Sequence, residues 1–85
     1  NMKYYLLTIN IYDGDHEYWD KSIVFMKDVS DEQKVLKAWS GHDDLEYDED
    51  LRVFISPYTY RGYRIYSTQE IDENDLPILR KYHIG

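Results

Sequence analysis

The stretch Lys3 to Tyr12 alternates without a break, and that alternation constrains the fold more than any other feature of the chain. Tyr5, Leu7, Ile9 and Ile11 fall on one side of an extended backbone, and Tyr4, Leu6, Thr8, Asn10 and Tyr12 on the other. A two-residue period in β-branched and aromatic side chains specifies a strand. Asp13-Gly14 follows, and the glycine supplies the positive φ of a tight turn. From Glu17 to Lys27 the alternation resumes, with Trp19, Ile23 and Phe25 on one side and Tyr18, Val24 and Met26 on the other. The chain therefore opens with a β-hairpin.

Val29-Ser30-Asp31-Glu32-Gln33 then reads as a helix start. Ser30 is placed as the cap with Gln33 reaching back to it, and Asp31 and Glu32 sit at the positive end of the dipole. Val35, Leu36 and Trp39 share the buried face, Lys34 and Lys37 point away, and Gly41 ends the helix. The block His42 to Asp50 holds six acids in nine positions, a density expected to keep it a loop.

Beyond it, Leu51 to Ser56 reads as a strand broken at Pro57, and Gly62 to Thr68 as another. Tyr58-Thr59-Tyr60-Arg61 connects the two, and the register between Ser56 and Gly62 stays open. Near the end, Pro77 suits a helix start with Asp72 or Asp75 as cap. Leu76, Leu79 and Tyr82 or His83 would face inward.

The expected fold is α+β: one domain over residues 1–85 in the order ββαββα, two ββα halves without convincing sequence repetition. A four-stranded, mostly antiparallel sheet carries both helices on one face. Tyr4, Tyr12, Tyr18 and Tyr66 would line the uncovered face. Asn1 ahead of Met2 reads as an expression remnant, so the natural chain is expected to start at Met2.

Composition removes several function classes. Without cysteine there is no disulfide scaffold, thiolate metal site or thiol nucleophile. No apolar run reaches the ~20 residues of a membrane helix, and no signal-peptide pattern opens the chain, so no membrane role and a cytoplasmic location are expected. Four isolated glycines form no phosphate cradle or dinucleotide fingerprint.

No serine sits in a nucleophile elbow. His16, His42 and His83 read as surface histidines. His42-Asp43-Asp44 lacks the further ligands of a metal-dependent phosphohydrolase, and Asp13, Asp15, His16 and Glu17 lack calcium-loop spacing. Neither metal nor cofactor is expected, and no catalytic residue can be singled out.

Seventeen acids against ten lysines and arginines give a net charge of −7, which opposes charge-driven binding to nucleic acid and suits a basic protein partner. Fourteen of the 17 acids fall into three groups: residues 13–20, 43–50 and 70–75. Carboxylates grouped in this way can imitate a phosphate backbone. In size, charge and tyrosine content the chain resembles small acidic phage inhibitors of restriction and CRISPR systems. The resemblance carries no motif, and no residue role follows from it.

It implies a non-enzymatic interaction module that mimics nucleic acid and blocks a basic nucleic-acid-binding host protein. The residues expected to meet the partner are Asp43, Asp44, Glu46, Tyr47, Asp48, Glu49, Asp50, Tyr58, Tyr60, Arg61, Tyr63 and Arg64. Aromatics interleaved with arginines over 58–66 could instead stack single-stranded nucleic acid. Arg61-Gly62-Tyr63 matches the first three positions of an RNA-recognition consensus, but Arg64 and Ile65 then depart from it. A third reading is a non-catalytic accessory protein, monomeric or a homodimer that buries the open sheet face.

Overall fold

The computed structural model describes residues 1–85 as one five-stranded antiparallel sheet with two short helices. Along the chain these are β1 (Lys3–Asp13), β2 (His16–Met26), α1 (Glu32–Ser40), β3 (Glu46–Asp48), β4 (Val53–Ile55), β5 (Gly62–Ile71) and α2 (Leu76–Lys81). A 3-10 turn, Glu73–Asp75, leads into α2. The spatial order is β2-β1-β5-β4-β3.

The opening hairpin is as expected. Asp13 pairs with His16 across the two-residue loop Gly14-Asp15, and Gly14 has φ +64°. Glycine at the first loop position, with no positive φ at the second, is the type II′ arrangement that matches strand twist. Gly41 likewise ends α1 in the left-handed conformation, its amide bonded to the Lys37 carbonyl.

Several features differ from the sequence expectation. The sheet has five strands rather than four, because Glu46–Asp48 within the acidic block pairs with Val53–Ile55. Extended backbone holds Glu46 and Asp48 about 7 Å apart and lets both reach water. The apolar residues interleaved with them supply the anchor: Leu45 is fully buried, and the Tyr47 ring lies 5.1 Å from that of Phe54. Leu51 and Arg52 belong to the β3–β4 turn, which delays the next strand to Val53.

The helix cap is Asp31, whose carboxylate accepts the Lys34 amide at 3.2 Å. Ser30 is turned away, donating through its amide and hydroxyl to Asp28. Gln33 does not reach back; its amide donates to the Leu45 carbonyl at 2.9 Å and ties the acidic loop to α1.

The two helices lie on opposite faces of the sheet. α1 covers Leu7, Ile9 and Ile11 with Val35 and Leu36, and Leu45, Phe54 and Tyr63 complete that core. α2 lies over the other face, where Ile78 and Leu79 share a cleft with Leu6, Gln69 and Ile71. The chain end follows the same side, since a Cβ on Gly85 would come within 2.5 Å of Ile23 Cγ1. The cause is visible in the alternation itself: Leu6 and Ile23 are opposite each other on the second face, and their apolar surface needs cover.

Tyr18, expected on the uncovered face, pairs with Ile11 and so belongs to the α1 side. The second face carries Trp19 and Phe25 together with Tyr4 and Tyr12. β5 extends to Ile71 and contains a bulge, with Ile65 opposite Ile9, Ser67 opposite Thr8, and Tyr66 left over between them. The bulge aims Tyr66 at Trp19, and the two rings meet edge to face at 4.9 Å. β5 pairs with β4 only at Tyr63 and Gly62. The next amide along, that of Ile65, is taken by the Glu32 carboxylate from the start of α1 at 2.8 Å.

Candidate partner-binding surface

The acidic block is divided by the fold into residues that hold structure and residues that face water. Asp48 is structural: its Oδ1 accepts the amides of Asp50 and Leu51, both at 2.9 Å, and its carbonyl accepts that of Arg52 at 2.7 Å. This bonding keeps Arg52 at φ +58°. Asp44 turns inward, with both carboxylate oxygens shielded from water and without a hydrogen-bond partner. Asp43, Glu46, Glu49 and Asp50 are exposed.

Glu46, Tyr47 and Asp48 come together with Ile55, Pro57 and Tyr60 around a shallow groove beside β3. Tyr60 is 79% exposed and Tyr58, in the same loop, 84%. The loop is closed by its own backbone: Ser56 accepts the Tyr60 amide at 2.8 Å and donates its amide to the Arg61 carbonyl at 3.1 Å. Tyr60 is held there at φ +58°, a conformation that costs a side-chain-bearing residue roughly 1–2 kcal/mol.

The remaining members of the 58–66 stretch separate. Arg61 Nε donates to Asp13 Oδ2 at 3.2 Å, and that carboxylate raises the guanidinium's already high pKa. Tyr63 is a core residue, packed edge to face on Trp39 with centroids 5.5 Å apart. Burial pushes its phenol above the ordinary 10.0, against a smaller opposing pull from Arg61. Arg64 points to the second face and donates through Nε to Asn10 Oδ1 at 3.1 Å. Tyr58 and Tyr60 are therefore apart from the buried Tyr63, and both arginines are engaged by hydrogen bonds within the chain.

Sequence reasoning missed the constellation around Asn10. This residue is fully buried in mid-strand; its Nδ2 donates to Glu17 Oε1 at 3.0 Å and to the Tyr18 carbonyl at 3.4 Å. With Arg64, Trp19 and Tyr66 it forms a polar and aromatic cluster on the second face. An amide side chain interrupting a run of aromatic and aliphatic strand residues was the available signal.

Few of the surface charges are directly paired. The two ion pairs are Lys3–Glu70 at 3.0 Å and Arg61–Asp13 at 3.2 Å, so fifteen of the seventeen acids lack a cationic partner. The three acidic groups lie apart: one at the β1–β2 turn, one beside β3, and one at the opposite end of the long strands before α2. The molecule measures 39 × 27 × 18 Å along its principal axes. No helix is long and apolar enough to cross a membrane, and no three His, Asp or Glu side chains converge as a metal site would require. No protein-family model, curated protein or solved structure gives a significant match to this chain.

Proposed function

We propose that this chain is a small non-catalytic interaction module. Its carboxylates engage a basic nucleic-acid-binding protein in place of nucleic acid, in the manner of a phage-type inhibitor of restriction or CRISPR-like defence. The observation that carries the reading is the set of fifteen acids without a cationic partner. The net charge of −7 attracts a basic surface over a Debye length and offers it carboxylates where it would hold phosphates. The 39 Å long axis equals roughly eleven base pairs of duplex at about 3.4 Å each, long enough for acids at both ends to meet one binding cleft.

The single-strand reading of residues 58–66 has less support, because Arg61 and Arg64 are committed to Asp13 and Asn10 and Tyr63 belongs to the core. A homodimer through the second face has less open surface to use, since α2 lies over Leu6.

The neutralised variant Asp43→Asn/Glu49→Gln/Asp50→Asn tests the proposal and leaves the turn-forming Asp48 in place. Partner affinity should fall more than tenfold, and the wild-type complex should weaken steeply with salt. Binding that ignores both the substitutions and the salt rejects it.

A further inference from the structure

We infer that the groove beside β3 is a seat for one arginine side chain of the partner; the inference rests on the basic partner proposed above and names the contact it makes. Glu46 and Asp48 are alternate residues of β3, on the side of the sheet that also carries Ile55. Glu46 makes no hydrogen bond or ion pair within the chain, and Asp48 uses only Oδ1 in its turn, so one oxygen remains free. Ile55 and Pro57 line the same groove with apolar surface, and Tyr60 adds an aromatic ring.

None of the lining residues is a lysine or arginine; the nearest cation in sequence, Arg61, is paired with Asp13. The groove therefore offers carboxylates, apolar surface and an aromatic ring, and no lysine or arginine lines it.

A guanidinium matches these features better than an ammonium. It is planar and weakly hydrated, so it can lie against proline and tyrosine while its fork of donors meets carboxylate oxygens. A lysine would have to shed a tightly held water shell against the same apolar surface. The Tyr60 ring is held at this place by its backbone. An exposed tyrosine occupies a left-handed position that glycine would fill without strain, and hydrogen bonds of its own loop hold it beside Glu46 rather than packing against the core.

The test is amide chemical-shift mapping of the whole chain with a short arginine-rich peptide, a lysine-rich peptide of equal length and the variant Glu46→Gln. The expected result has shifts centred on Glu46–Asp48 and residues 55–61, several-fold tighter binding of the arginine peptide, and roughly tenfold weaker binding after Glu46→Gln. Equal affinity for both peptides, shifts centred on residues 13–17 or 70–75, or an unchanged affinity in Glu46→Gln would overturn the arginine seat and leave a basic partner standing. No shifts with either peptide would remove the seat and the proposed function together.

Discussion

Replacing Asn10 by alanine is the sharpest probe of how the second face is held. The amide bonds Glu17 Oε1 at 3.0 Å and receives Arg64 Nε at 3.1 Å. Its contact with the Tyr18 carbonyl, at 3.4 Å, is longer than an ordinary N–H···O bond and counts for little. Hydrogen bonds to charged groups contribute about 1.5–3 kcal/mol each. Glu17 is exposed and Arg64 half-buried, so both can recover some hydration, and the lower end applies.

The loss is therefore about 2–3 kcal/mol, a large part of the roughly 4–13 kcal/mol expected for a domain of this length. At ~4–8 °C per kcal/mol for a small domain, the midpoint of thermal unfolding should fall by about 10–20 °C. Urea unfolding followed by circular dichroism should show a lower midpoint with an unchanged slope. Combining Asn10→Ala with Arg64→Ala should cost less than the sum of the two single changes, because they share one bond. A loss below about 0.5 kcal/mol, with full additivity, would refute the view that this cluster holds the face together.

Gly62→Ala should destabilise by about 1–3 kcal/mol through overpacking, because the new Cβ would stand 2.7 Å from Val53 Cγ2 and Val53 is only 2% exposed. Adding Val53→Ala should return part of that loss in a urea double-mutant cycle. Tyr60→Gly should keep or raise stability by up to ~1 kcal/mol in a thermal melt, yet weaken binding of the arginine-rich peptide.

The phenol of Tyr63 has its pKa raised by burial, so the neutral form is favoured in the folded state. Its contribution is complete below the ordinary 10.0 and is lost as pH rises above that value. Urea unfolding across this alkaline range should show stability declining. Tyr63→Phe, which cannot ionise, should flatten that decline.

The hairpin, α1 and its glycine stop were legible in the sequence because each rests on local rules: alternation, turn chemistry and a left-handed cap. β3 was not, because six acids in nine residues obscured Leu45 and Tyr47, whose packing against the core and Phe54 decides the backbone there. The side chosen by α2 depends on Leu6 and Ile23, two apolar residues on a strand face that otherwise looked amphipathic enough to stay open. At the candidate site, Glu46, Tyr47, Asp48 and Tyr60 belong together as sequence reasoning grouped them. Tyr63 separated from them because alternation puts it on the α1 face opposite Ile11, whereas Arg64 shares the face of Glu46 and Asp48 but is bonded to Asn10 on β1.

The most direct measurement of the account is displacement. The chain is immobilised, loaded with host lysate, and eluted with duplex DNA at constant ionic strength. A module that occupies a nucleic-acid cleft should release basic nucleic-acid-binding proteins to the DNA, and the neutralised variant should retain none of them. Partners that stay bound in the presence of DNA, or that bind the neutralised variant equally well, would contradict it.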